Sequence, residues 1–111
     1  MTLAIEKVGP ALVVSPQGQL NSANAASVES ELLRQIDNGE NKVVLDLSSL
    51  DYISSAGLRV MLLAAKRLKQ KGGALALCSI QPHVREVFDI SGFLSILTVV
   101  DARDDALDLM A

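Results

Sequence analysis

The fold of this protein is decided by residues 46–58, which read DLSSLDYISSAGL. A buried strand is predicted over 43–47, because a short aliphatic run ends there at polar residues. A short polar loop follows and delivers Ser54 and Ser55 to the start of an amphipathic helix predicted over 55–71. The stretch therefore predicts a strand-to-helix junction with two hydroxyl groups at the helix N-terminus.

Hydroxyl groups at a helix N-terminus have two uses. The first backbone N–H groups of a helix have no partner within it and lie at the positive end of its dipole, so they suit a capping hydroxyl and equally a phosphate. One serine can cap while the other, beside the small residues Ala56 and Gly57, stays open to a kinase. Phosphorylation would add about −1.5 to −2 in charge to a chain of formal net charge −3.

Composition limits the possible fold classes and indicates the cellular compartment. With 111 residues the chain suits one domain, 1–111, and with half of it hydrophobic but only 3% aromatic the core must be aliphatic. Such a core favours a parallel sheet covered by helices. The negative charge predicts no nucleic-acid partner. The single cysteine, Cys78, is expected to be a buried thiol in a reducing compartment. With no signal peptide and no membrane-spanning run expected, we predict a cytoplasmic protein without membrane insertion.

The order of predicted elements defines the fold class. Strands are predicted over 3–8, 43–47, 74–78 and 96–100. A further strand is predicted from the apolar run at 11–14 and is interrupted near its end by Gly18, where we expect a bulge or a close backbone approach. Besides the helix over 55–71, we expect one capped by Asn21 or Ser22, one beginning at Pro82 and one over 101–110. Alternation of helices and strands implies right-handed parallel crossovers. The prediction is an α/β domain with a mostly parallel sheet of about five strands, an antiparallel N-terminal edge strand and about four helices.

Several enzymatic sites are not found in the sequence. The single histidine, His83, has no Cys or His at ligand spacing, so we assign it no role and expect no metal site. Ser55 lacks the glycine that a nucleophile elbow places two residues before the serine. The glycines Gly72 and Gly73 follow a predicted helix and do not form a phosphate-binding loop. We therefore predict a protein that is not an enzyme and needs no cofactor.

The sequence resembles a STAS domain of the anti-sigma factor antagonist type over essentially its full length. The main similarity is the segment 43–58, VVLDLSSLDYISSAGL, in which a hydrophobic strand leads to a serine motif that ends in Gly-Leu. Further similarity lies in GQL at 18–20, in the glycine pair at 72–73 and in VFDISGF at 87–93. The resemblance implies the STAS fold and a protein that regulates transcription by binding a partner.

The resemblance also implies site residues and partners. The family's phosphoacceptor falls on Ser55, with Ser54 as the alternative acceptor. The partner-binding residues implied are Asn21, Ser54, Ser55, Ala56, Gly57 and Leu58. In relatives an anti-sigma factor with serine kinase activity phosphorylates this serine, and a metal-dependent serine phosphatase removes the phosphate. The unmodified antagonist binds the anti-sigma factor and frees the sigma factor. A monomer or weak dimer is expected.

Two departures and one alternative accompany this resemblance. Ser54 stands where the best-known members carry aspartate, and Asn21 stands where many relatives carry aspartate after Gly-x-Leu. Both departures remove negative charge from the surroundings of Ser55. The alternative function is a STAS module that does not switch and acts as a scaffold or as a small cytoplasmic subunit of a signalling or lipid-transport assembly.

Overall fold

The computed structural model describes residues 2–111, without the side chains of Thr2 and Leu94. Its strands are β1 (Thr2–Val8), β2 (Ala11–Leu20), β3 (Lys42–Asp46), β4 (Leu50–Ile53), β5 (Ala74–Cys78) and β6 (Val99–Val100). Its helices are α1 (Ala25–Asp37), α2 (Ser55–Gln70), α3 (Pro82–Ser91) and α4 (Arg103–Met110), with a 3₁₀ turn at Phe93–Ser95. The elements form the α/β domain with four helices that the sequence predicted.

The strands form one six-stranded mixed sheet. Its order is β1-β2-β3-β5-β6, and β4 pairs with the C-terminal part of β2. Only β1 and β2 are antiparallel, as predicted, and the other pairings are parallel. The long strand β2 pairs with β3 through 12–14 and with β4 through 18–20. A bulge between Gly18 and Gln19 separates the two pairings, at the glycine where a bulge was predicted.

Helices cover the two faces of the sheet unequally. Along β3 the side chains alternate, so that Val43 and Leu45 belong to the core that contains the buried residues of α1, α2 and α3, while Val44 belongs to the core that contains those of α4. The apolar stripe of α1 is buried, with Ala25, Val28, Leu32 and Ile36 all in the larger core. No helix in the described part of the chain is both long enough and apolar enough to cross a membrane.

Three sequence predictions differ from the structure. Strand β4 lies where a loop was expected, because Leu50 and Ile53 are buried while the two residues between them are exposed. The last strand is Val99–Val100 and not 96–100, because the chain first makes the 3₁₀ turn. Helix α1 begins at Ala25, so neither Asn21 nor Ser22 is its cap. Instead the Asn21 and Asn24 side chains accept hydrogen bonds from the N–H groups of Ala23 and Asn21, which closes a turn before the helix.

A partly buried ion pair fastens α4 to the sheet. Asp46, at the end of β3, is 6% exposed, and its Oδ2 accepts a hydrogen bond of 2.8 Å from Arg103 Nε. Its Oδ1 accepts the Ser48 backbone N–H at 3.0 Å. Burial by itself would raise the pKa of Asp46, but these two hydrogen bonds outweigh burial and hold that pKa below its ordinary value of 3.8. Arg103 also pairs with the exposed Glu6 of β1 at 3.0 Å.

Helix α2 approaches β2 and β4 closely at Gly57. A Cβ atom at this position would lie 2.8 Å from Leu20 Cγ and 2.8 Å from Ile53 Cγ1. Both of those side chains are 1% exposed and belong to the larger core. The absence of a side chain at Gly57 therefore allows the first turn of α2 to rest directly on the ends of β2 and β4.

We predict that Asp46→Asn lowers the free energy of unfolding by about 1–3 kcal/mol at pH 7, because Arg103 then loses its charged buried partner. A carboxyl whose pKa is lowered by folding stabilises the protein above its unfolded pKa, and this contribution disappears as the pH falls through the folded pKa. Urea unfolding should therefore show a difference in the free energy of unfolding between wild type and variant that becomes smaller below about pH 4. In the control Glu6→Gln, removal of the exposed partner should cost less than about 1 kcal/mol. If the difference in unfolding free energy between wild type and Asp46→Asn did not change with pH, the proposed role of the Asp46 charge would be contradicted.

We predict that Gly57→Ala lowers the free energy of unfolding by about 1–3 kcal/mol, because the added methyl group overpacks the contact with Leu20 and Ile53. Helix propensity alone predicts the opposite sign, a gain of about 1 kcal/mol. In a Leu20→Ala background the same substitution should cost less, since one of the two clashing side chains is shortened. Chemical denaturation of wild type, Gly57→Ala, Leu20→Ala and the double variant measures these costs. Stabilisation by Gly57→Ala in the wild-type background would refute the overpacking.

Candidate functional site

Ser54 is the N-cap of α2, and all its polar groups have partners. Its Oγ accepts a hydrogen bond of 3.3 Å from the Gly57 N–H, and its carbonyl oxygen accepts the Leu58 N–H at 3.0 Å. Its own N–H donates to the Leu20 carbonyl at 2.9 Å. Ser54 has extended backbone angles of −93° and 174°, as capping residues do. The Ser54 hydroxyl therefore caps the helix, while the Ser54 backbone N–H joins the start of α2 to the end of β2.

Ser55 is the first residue of α2 and is exposed. Its hydroxyl has no hydrogen-bond partner among residues 2–111. The first turn of α2 contains no acidic residue. The Ser55 hydroxyl thus lies in solvent at the positive end of a helix of 16 residues. No carboxylate in the first turn of α2 would repel a negative charge added at this position.

The other residues predicted for the site differ in exposure. Asn21 is half-buried and follows Leu20, whose carbonyl receives the Ser54 N–H, so it is brought beside the start of α2. Ala56 is half-buried, whereas Gly57 is buried and Leu58 is only 3% exposed. Gly57 and Leu58 therefore support the surface from inside, and direct contact with a partner is left to the more exposed residues.

The segment before Ser54 is held from the start of α3. Gln81 Nε2 donates to the Ser48 carbonyl at 2.9 Å and to the Leu50 carbonyl at 3.0 Å. His83 Nε2 lies 2.6 Å from the Asp51 carbonyl oxygen. Because a carbonyl oxygen only accepts hydrogen bonds, this His83 nitrogen carries a proton. Sequence reasoning gave His83 no role and did not consider Gln81, because about thirty residues separate each from its partner.

Other reactive side chains lie away from this surface. Cys78, on β5, is buried as predicted, and burial raises the pKa of its thiol, so the group is neutral at pH 7. Within residues 2–111, no three His, Cys, Asp or Glu side chains are placed to hold a metal ion. The hydroxyl of Ser55, exposed at the N-terminus of α2, is by contrast accessible from solvent.

Sequence comparison with known proteins identifies a domain family and two similar relatives. The sequence profile of the STAS domain matches residues 2–106. The chain is 58% identical over 106 residues to BtrV of Bordetella bronchiseptica, provisionally named an anti-sigma factor antagonist, covering 96% of this chain and 91% of BtrV. It is 32% identical to the anti-sigma F factor antagonist of Paenibacillus polymyxa, covering 86% and 83% of the two chains.

A solved structure agrees with these relatives. The crystal structure of a provisionally named anti-sigma factor antagonist from Thermotoga maritima superposes with a TM-score of 0.92 at 25% identity, covering 97% of this chain and 93% of the other. The family profile, which matches nearly the whole chain, and this superposition therefore agree on the fold. The chain belongs to the STAS domain family, among the members named anti-sigma factor antagonists.

Proposed function

We propose that this protein is an anti-sigma factor antagonist whose binding to an anti-sigma factor is switched off by phosphorylation of Ser55. The names of the relatives support the first part of the proposal. The observation that carries the second part is the division of roles between the two serines. Ser54 uses its hydroxyl for the Gly57 N–H, while the Ser55 hydroxyl is exposed and has no partner in the described chain.

The proposed docking surface is centred on Ser55. It includes Ser54, Ala56 and Asn21 around that serine, with Gly57 and Leu58 beneath them as packing support. The partner is an anti-sigma factor with serine kinase activity that brings its own ATP, and a metal-dependent serine phosphatase restores the unmodified state. The protein acts as a binding module in the cytoplasm, as a monomer or weak dimer, and performs no catalysis itself.

Electrostatics at the surface suffices for the switch. A phosphate on Ser55 would lie beside the free N–H groups of α2, so the domain tolerates it without unfolding. Docking against a partner would strip water from about two negative charges, which is costly unless the partner supplies matching positive groups. A difference of about 3 kcal/mol in binding free energy changes affinity more than a hundredfold. The partner is therefore released without a conformational change in the antagonist.

We predict that Ser55→Ala abolishes phosphate transfer from the cognate kinase while the variant still binds that kinase. Tagged Ser55→Ala protein should retain the kinase from an extract of the source cells, and the captured kinase with radiolabelled ATP should then label wild type but not the variant. Ser55→Asp should retain little kinase, because it carries a permanent charge.

The matched control is Ser54→Ala. It should still be labelled at position 55, at a cost of about 0.5–2 kcal/mol in stability from the lost cap. Labelling of Ser55→Ala but not of Ser54→Ala would move the acceptor to Ser54. A wild-type protein with no phosphorylated form in any growth state would favour the non-switching STAS scaffold.

A further inference from the structure

Arg59 is a free cation close to the proposed phosphorylation site. It lies on α2, four residues after Ser55, and is exposed. Among residues 2–111 it takes part in no ion pair, whereas Arg34, Arg67, Lys71 and Arg103 each pair with a carboxylate. A solvated cation one turn from an exposed hydroxyl has no evident part in the fold.

Helix geometry directs Arg59 toward Ser55. Residues i and i+4 lie on the same face of a helix, with about 5–6 Å between their Cβ atoms. The Cα–Cβ bonds tilt toward the helix N-terminus, so a long side chain at i+4 reaches back over the turn that contains residue i. An anion at i with a cation at i+4 is also the more favourable orientation of such a pair. Arg59 therefore has the spacing and direction that a negatively charged residue 55 requires.

Among residues 2–111, no acidic group is paired with Arg59. The first turn of α2 contains no carboxylate. Asp51, the nearest acidic residue before Ser55 in the sequence, has its Oδ1 3.4 Å from Gln81 Nε2. On α1, which packs against α2, Glu31 pairs with Arg34, and Asp37 pairs with Arg67 and Lys71. Glu29, the third acidic residue of α1, forms no ion pair with Arg59 or any other described residue. Arg59 is therefore available to a new anion on its own helix.

We infer that Arg59 pairs with the phosphoryl group on Ser55 within the same molecule and favours its dianionic form. The inference rests on the proposed function for its biological meaning. The planar guanidinium can donate two hydrogen bonds to phosphoryl oxygens, which a lysine cannot do with the same geometry. The pair would hold the phosphoryl group against α2 and stabilise the phosphorylated, released state of the antagonist.

The test is a titration of phosphoserine installed at position 55 by genetic encoding, so that no kinase is needed. Phosphorus NMR at about 0.1 M salt gives the second pKa of the phosphate in the wild-type background, in Arg59→Gln and in Arg59→Lys. The matched control is Lys66→Gln, which removes the same charge from an exposed position of α2. Lys66 is eleven residues from Ser55, about 16 Å along the helix, which exceeds the screening length of about 10 Å at 0.1 M salt.

The pairing predicts that Arg59→Gln raises this second pKa by about 0.3 or more. Lys66→Gln should leave it nearly unchanged, and Arg59→Lys should fall between wild type and Arg59→Gln. Equal pKa values in wild type and Arg59→Gln would overturn the inference. Equal rises of the pKa in Arg59→Gln and Lys66→Gln would also overturn it, because such rises would reflect the net charge of the protein alone. Failure of the proposed function would appear separately, as a lack of kinase labelling at Ser55.

Discussion

Two hydrogen bonds of Ser54 join the sheet to the helix that carries the site. The Ser54 N–H donates to the Leu20 carbonyl at the end of β2, and the Ser54 hydroxyl accepts the Gly57 N–H in the first turn of α2. Because Gly57 has no side chain, this turn rests directly on Leu20 and Ile53. The junction therefore fixes where α2 begins, and it leaves the next hydroxyl, that of Ser55, in solvent.

The rest of the domain holds this junction from two sides. On one side Gln81, at the start of α3, binds the carbonyls of Ser48 and Leu50. On the other side Asp46 binds the Ser48 N–H and is itself held by Arg103 of α4. The loop before β4 is thus tied to the start of α3 and, through Asp46, to α4. A surface held in this way is organised before a partner arrives, which fits a switch that works by charge and not by movement.

Much of the fold could be predicted because its signals are local. The apolar run before Asp46, the glycines at 72–73 and the stripe of α1 each specify an element through neighbouring residues alone. Strand β4 was missed since its two exposed central residues resemble a polar loop, and its pairing with β2 is a long-range contact. The cap of α1 was misplaced because the Asn21–Asn24 turn satisfies groups that a helix start would use.

The candidate site was predictable only in part, for the same reason. A serine pair before a helix indicates a cap and a free hydroxyl, but the sequence alone does not say which serine is which. The structure assigns the cap to Ser54 because its hydroxyl is the one that reaches the Gly57 N–H. The support from Gln81, His83 and Arg103 depends on contacts across 31 to 57 residues, which no local pattern indicates.

The central claim is that charge at position 55 decides whether the antagonist stays bound. Its most direct test is titration calorimetry of the captured anti-sigma factor with two forms of the same chain, unmodified and carrying phosphoserine at position 55. The account predicts that the phosphorylated form binds at least about a hundredfold more weakly, a difference near 3 kcal/mol. Equal affinities of the two forms, with both folded to the same thermal stability, would contradict it.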